Sequence, residues 1–199
     1  MSQRPTTPVI QLPGAAGFDR VLADLADFRW RPEIQVDEIP APQRIAPFAA
    51  AMEALVEDVD TELGSGRLII LHDPQGNSAW QGDIRFVSYV RADVDLEMAS
   101  DPLLAEVGWS WLSDALDDRQ ADYVAASGTV TSVASRSFGE LAEDGDRAEI
   151  EIRASWTPIV DGRGVSVHLA AWQDLLCHTC ALPPVGDGIV ALNRSFRRG

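Results

Sequence analysis

Apolar residues recur at helical spacing in four segments of the chain. In each segment every third or fourth residue is apolar, which would place the apolar side chains together on one side of a helix. Most of these segments are bounded by proline, glycine or an Asp-Pro pair, which are typical of helix ends. Helices are therefore predicted over residues 18–28, 45–63, about 101–116 and about 167–181.

The second of these segments carries the clearest helical pattern. Its apolar residues, from Ile45 to Leu63, form one continuous face, and acidic residues occupy the opposite side. Gly64, Ser65 and Gly66 follow at once, and glycine just after an apolar face is typical of a helix C-terminus. We therefore expect a long amphipathic helix here.

Alternating apolar and polar residues predict strands between the helices. In the clearest case, Ile150, Ile152 and Trp156 would face one side of a strand and charged residues the other. Turn-forming residues separate two pairs of such segments, so each pair is expected to form an antiparallel hairpin. The predicted strands cover residues 33–37, 67–71, 80–90, 128–135 and 149–156.

The predicted elements follow the order α-β-α-ββ-α-ββ-α, which is typical of the α+β class. We expect an antiparallel sheet, built from two hairpins plus a short strand and covered on one face by about four helices. A chain of 199 residues is long enough for one domain. We place that domain over residues 15–192, after a flexible lead-in over residues 1–14 and before a basic tail over residues 193–199.

Composition narrows the range of partners. Thirty-one acidic residues against sixteen basic ones give a net charge of −15, which repels phosphate backbones, so direct binding to nucleic acid or an anionic membrane is not expected. Every basic residue is arginine, and the absence of lysine excludes a Schiff-base lysine and a Walker loop. The sequence contains neither a membrane-spanning apolar run nor a secretory signal, so we expect a cytoplasmic location.

Cys177 and Cys180 form a C-x-x-C motif, which is typical of redox pairs and of zinc sites. The motif lies at the end of a predicted helix, where the helix dipole opposes formation of a thiolate. A second C-x-x-C is missing from the chain, although His72 or His168 could complete a mixed metal site. We favour ordinary thiols, buried or at the surface, without metal or cofactor.

Two other motifs resemble catalytic ones. Ser110 follows a glycine, but it lacks the second glycine of a nucleophile elbow and lies inside a predicted helix. His72 and Asp73 are adjacent, so they would point to opposite faces of a strand, and Asp73 with the following Pro74 is typical of a turn. We therefore assign no catalytic residue.

Strand arginines form the best candidate for an anion-binding site. Arg85, Tyr89 and Arg91 share one face of their predicted strand, and Arg153 lies on the polar face of another. If the two faces coincide, these residues would line a patch that holds a carboxylate or phosphate. The alternative, which we favour, is that the arginines form ion pairs with the glutamates of residues 149–151.

Trp80 and Trp109 are the tryptophans that the helical and strand patterns do not place in the core. An exposed tryptophan is a typical anchor for a protein partner. Our first hypothesis is therefore a non-catalytic binding or scaffold protein that uses these two residues. The second is an enzyme whose strand arginines hold a small anionic substrate, with His72 or a carboxylate as the acid or base. The sequence leaves the oligomeric state open.

Several strings of the chain are distinctive in combination, among them Leu71-His72-Asp73-Pro74, Val107-Gly108-Trp109-Ser110-Trp111-Leu112 and residues 149–158. Together they resemble an actinobacterial family of uncharacterised proteins known as a domain of unknown function, DUF3000. The resemblance implies an actinobacterial, cytoplasmic protein and supplies no activity, cofactor or catalytic residue. Neighbouring ribonuclease genes in such genomes imply a third hypothesis, an RNA-associated accessory protein, for which the net charge favours a protein partner over RNA.

Overall fold

The computed structural model describes residues 13–59 and 61–183, which form a six-stranded antiparallel sheet with helices on one of its faces. The strands lie in the order β1-β2-β3-β4-β6-β5. The predicted tail over residues 193–199 and nearly all of the lead-in over residues 1–14 lie outside the described residues. The strands are β1 Ile34–Glu38, β2 Phe48–Asp58, β3 Thr61–Asn77, β4 Gly82–Asp93, β5 Tyr123–Ser135 and β6 Arg147–Pro158.

The described residues also form four α-helices and one short 3-10 helix, of which the first α-helix precedes β1 and the last follows β6. The helices are α1 Pro13–Asp27, α2 Leu96–Ala99, α3 Leu104–Asp118 and α4 Ser166–Thr179, and the 3-10 helix is Gly139–Asp144. Within the described residues, no helix combines the length and apolar character needed to cross a bilayer. The structure confirms the α+β class, the antiparallel sheet with its two hairpins and the order of elements along the chain. The exception is the helix predicted over residues 45–63.

The helix predicted over residues 45–63 is wrong, because most of this segment forms strand β2. The segment satisfies two periods at once, since Ala50, Met52 and Val56 are buried at alternate positions while Glu53 between them is exposed. Alanine has the highest intrinsic helix propensity, but propensity is a weak preference that tertiary contacts override, and β2 pairs along both edges, with β1 and with β3. Pairing on both sides therefore outweighs the local preference.

The core lies between the sheet and helices α1, α3 and α4. Trp156 of β6 and Trp172 of α4 are completely buried in it. The indole nitrogen of Trp172 donates a 2.9 Å hydrogen bond to Ser88 Oγ of β4, which satisfies the buried N–H and fixes α4 against the sheet. Leu169, Trp172 and Leu176, which helical spacing places on one side of this last helix, are all buried.

Helical spacing of apolar residues places Val107 of α3 inward together with Leu104, Ala115 and Leu116, and the last three are buried. Val107 is exposed, however, and Gly108 and Leu112 are buried instead. A Cβ atom at Gly108 would lie 3.1 Å from Ile150 Cδ1, so the missing side chain allows the helix axis to approach the sheet closely. Counting apolar side chains therefore missed the glycine that determines which face turns inward.

The opposite face of the sheet is not covered by any helix of the described chain. We call it the open face. It carries the alternate residues of each strand, and a shallow depression of about 500 Å³ lies near its centre. The side chains that line the depression from the open face are Arg67, Ile69, Val87, Tyr89, Ser127, Thr129, Arg153 and Ser155.

Candidate anion-binding face of the sheet

The four residues predicted to bind an anion lie together on the open face. Arg85, Tyr89 and Arg91 occupy alternate positions of β4 and therefore point to the same side. Arg153 of β6 lies directly opposite Tyr89 in the strand register. The structure thus brings the predicted set onto one surface, although the environments of its members differ.

Two arginines of this set form ion pairs with glutamates of β6. Arg153 Nη2 lies 2.5 Å from Glu151 Oε2, and Arg91 Nη1 lies 3.5 Å from Glu149 Oε2. Tyr89 donates a 3.1 Å hydrogen bond to the other oxygen of Glu151, and burial together with this bond raises the pKa of Tyr89. The Arg153 guanidinium also lies over the Tyr89 ring, 5.3 Å from its centroid. The ion-pairing alternative therefore describes Arg91 and Arg153.

Arg85 has a different environment, since it is buried and bonded to neutral acceptors. Only 8% of its surface is exposed. Nη1 donates to the carbonyl of Ala125 at 2.8 Å and to Thr157 Oγ1 at 3.2 Å. Nη2 donates to Ser155 Oγ at 2.6 Å and to Ser127 Oγ at 3.3 Å. Burial lowers the pKa of Arg85, but a guanidinium keeps its proton in proteins, so a positive charge stays beneath the open face.

A β-bulge in β5 brings the Ala125 carbonyl to Arg85. The pairing between β5 and β6 shifts between Val124 and Ser127, which leaves two residues of β5 outside the ladder. Ala125 adopts a φ of 53°, a left-handed conformation that costs free energy for a residue with a Cβ. The bulge is therefore a local strain that is offset in part by the hydrogen bond from the guanidinium.

Ser127 and Ser155 connect Arg85 to the depression. The two residues are direct partners in the register of β5 and β6, and their hydroxyl oxygens lie 3.3 Å apart. Both accept from Arg85, and both line the depression. Alternation along β6 predicts Ser155 on the same polar face as Arg153, but no motif in the sequence marks either serine as a site residue. Strand alternation alone could have found Ser155, whereas the bulge in β5 hides the alignment of Ser127.

His72 does not join the arginines, because it points to the covered face. It is buried between Phe18 and Phe48, with a ring-to-ring distance of 5.8 Å to each. Its Nε2 lies 3.9 Å from Asp83, and within the described residues its Nδ1 has no hydrogen-bond partner. Arg85 follows Ile84, the residue that pairs with His72, and so points to the opposite side of the sheet.

The C-x-x-C motif lies at the C-terminal end of α4, and both thiols are free and buried. Burial raises the pKa of Cys177, and it raises the pKa of Cys180 to about 12. Such thiols stay protonated near neutral pH, and of the two expected environments, buried or at the surface, both thiols have the buried one. Across residues 13–59 and 61–183, no three side chains of His, Cys, Asp or Glu lie close enough to share a metal ion.

The two predicted partner anchors lie on different parts of the molecule. Trp109 belongs to α3 and packs partly against the core on the covered face. Trp80 lies in the turn between β3 and β4, where its carbonyl accepts a 2.7 Å hydrogen bond from Thr157 Oγ1. Both rings are half-buried, so neither tryptophan is fully exposed. Ser110 lies inside α3, as predicted.

These features define a class of α+β protein in which one antiparallel sheet has a helix-packed face and an open face with a buried arginine. A family model described as "Protein of unknown function (DUF3000)" matches residues 14–190, and the chain belongs to this family. This match confirms the resemblance found in the sequence. No curated protein and no solved structure matches the chain.

Proposed function

We propose that the protein is a non-catalytic binding protein and that a segment of a protein partner binds on the open face. The observation that carries this proposal is the depression of about 500 Å³ on the sheet face that the helices of the described chain leave uncovered. Its volume lies within the range of known ligand sites, but it is shallow and broad. Such a shape suits an extended segment better than a small molecule enclosed on all sides.

The chemistry of the open face resembles the usual anatomy of a protein interface. Ile69 and Val87 pair across β3 and β4 and form an apolar centre. Arg67 pairs with Glu53 at 3.1 Å at the rim, where both side chains are about half exposed. An apolar centre within a polar, solvated rim is typical of protein–protein contacts. Rim charges of this kind contribute more to the association rate and to specificity than to affinity.

The enzyme hypothesis has less support. Its proposed acid or base, His72, lies on the covered face of the sheet, opposite to the arginines. The carboxylates nearest to these arginines, Glu149 and Glu151, are already engaged in ion pairs. A catalytic group that converges with the arginines is therefore missing from the described residues.

Of the two predicted anchors, Trp80 fits this surface better than Trp109. Its carbonyl is bonded to Thr157, which also accepts from Arg85. A partner that extends from the depression towards the β3–β4 turn would therefore reach Trp80, whereas Trp109 lies on the covered face. We propose Trp80 as a secondary contact.

A selection of peptides from a random display library on the full-length chain tests this proposal. We expect bound peptides to slow amide hydrogen exchange in β4 and β6 more than in α3. Val87→Glu should weaken their binding at least tenfold, because it places an unpaired charge at the apolar centre. Val107→Glu is the matched control, because Val107 is an exposed valine of α3 on the other layer.

Two results would contradict the proposed function. One is that the selection yields no binding peptide. The other is that selected peptides bind the Val87→Glu and Val107→Glu variants equally well while both variants unfold at the temperature of the wild type.

A further inference from the structure

We propose that Ser127 and Ser155 form a subsite for a carboxylate group, with the cation of Arg85 directly behind them. This inference rests on the proposed function and deepens it, since it names the chemical group by which the partner is recognised. The group is the carboxylate of an acidic side chain or of a C-terminus, next to an apolar residue of the partner.

The hydrogen bonds of Arg85 determine the direction in which the serine hydroxyls can donate. A serine hydroxyl has one proton to donate and two lone pairs to accept with. Both serines accept from Arg85 Nη2, so neither proton points to the guanidinium. One hydroxyl can donate to the other across 3.3 Å, which leaves at least one proton directed away from both partners. Since both residues line the depression, the outward direction leads there.

The charge behind the serines makes these hydroxyls good donors to an anion. The described residues offer Arg85 only hydroxyl and carbonyl oxygens as acceptors, so its charge is not matched by a bonded carboxylate. A hydroxyl that accepts a hydrogen bond from a cation becomes polarised. The hydrogen bond that its own proton donates is then stronger. An incoming anion would gain two charge-assisted hydrogen bonds and would offset a buried positive charge.

The surroundings favour a carboxylate over a phosphate. Arg85 supplies one positive charge, which one carboxylate neutralises, whereas a dianionic phosphate would leave an excess negative charge beside Glu151 in a chain of net charge −15. The 3.3 Å between the two hydroxyl oxygens lets each serine reach a different oxygen of one carboxylate. Val87 lies opposite Ser155 in the register, and Ile69 lies opposite Val87, so an apolar surface continues from the subsite.

A titration of the full-length, 15N-labelled protein with sodium butyrate tests the subsite by NMR. We expect saturable shifts at the amides of Ser127 and Ser155, and smaller, unsaturable changes with butyramide or inorganic phosphate. The double change Ser127→Ala with Ser155→Ala should raise the dissociation constant for butyrate at least fivefold. Ser155→Thr keeps the hydroxyl and should retain binding. Ser65→Ala, on the same face but outside the depression, is the matched control.

Equal butyrate binding by the wild type and the folded double alanine variant would overturn the subsite. Saturable binding of phosphate at the same residues, as tight as that of butyrate, would overturn its assignment to a carboxylate. With selected peptides, Glu→Gln substitution and C-terminal amidation distinguish a side-chain carboxylate from a terminal one. If the selected peptides lose binding to the Val87→Glu variant but bind the double serine variant as they bind the wild type, the subsite is overturned and the proposed function is not. If butyrate binds but no selected peptide loses binding to the Val87→Glu variant, the proposed function is overturned and the subsite is not.

Discussion

At the scale of single residues, buried titratable groups differ in charge because their chemistry differs. Arg85 stays charged because a guanidinium keeps its proton in proteins, and each of its Nη protons has an acceptor. The Cys177 and Cys180 thiols, in contrast, are buried and protonated. The position of the motif at the end of its helix disfavoured a thiolate, but it did not decide between buried and exposed thiols. The sequence could not predict that Arg85 is buried while Arg153 is half exposed, because this difference depends on the bulge in the neighbouring strand.

His168 ties the stability of the fold to pH. It is completely buried, its Nδ1 accepts a 3.3 Å hydrogen bond from the Trp156 indole, and burial lowers its pKa from 6.5 to about 4. His168 therefore binds a proton below about pH 6.5 in the unfolded chain, but only below about pH 4 in the folded protein. Stability contributed by neutral His168 is thus complete above pH 6.5 and decreases as the pH falls towards 4.

We expect the free energy of unfolding, measured with urea at pH 7 and at pH 5, to fall by about 1–2 kcal/mol through this histidine. His168→Asn is the control, because the asparagine oxygen can replace Nδ1 as the acceptor for Trp156 but does not titrate. The wild type should lose more stability than the variant over this range. An identical loss in both proteins would show that His168 does not control the pH dependence.

At the scale of elements, the segment over residues 45–66 shows why a helix was predicted where the chain forms strands. Apolar positions in an alanine-rich run can satisfy a helical and a strand period together, so the pattern alone did not decide between them. Gly64 and Gly66 were interpreted as a helix end, but they lie within strand β3. The elements with one clear period, β6 and α4, were predicted correctly. The site depends on this sheet, because β3 supplies Arg67 and Ile69.

Gly64 has a packing role that a substitution can measure. A Cβ atom there would lie 2.5 Å from the Arg91 carbonyl and 2.7 Å from Cys180 Sγ, so backbone atoms would have to move. We expect Gly64→Ala to lower the free energy of unfolding by about 1–3 kcal/mol in urea denaturation. Gly162→Ala, where a Cβ meets nothing within 4 Å, should change it by less than about 0.5 kcal/mol. Equal stability of the two variants would contradict the close packing at Gly64.

At the scale of the whole molecule, the two faces of one sheet differ in their contacts. The covered face holds the core, including Trp156 and Trp172, and supplies the stability of the fold. The open face carries the arginines and the depression. The sequence predicted the fold class and the side of the sheet on which the arginines lie. It did not predict the serine pair, because the contact between Ser127 and Ser155 joins two strands across a bulge.

A crystal structure of the full-length protein with a peptide selected on it would show whether a partner's carboxylate binds to Ser127 and Ser155 in front of Arg85. We expect a peptide carboxylate on the open face, with its oxygens within about 3 Å of both serine hydroxyl oxygens and an adjacent apolar side chain on Val87. A peptide seated on the helices, or one that leaves both serines without an anionic partner, would contradict it.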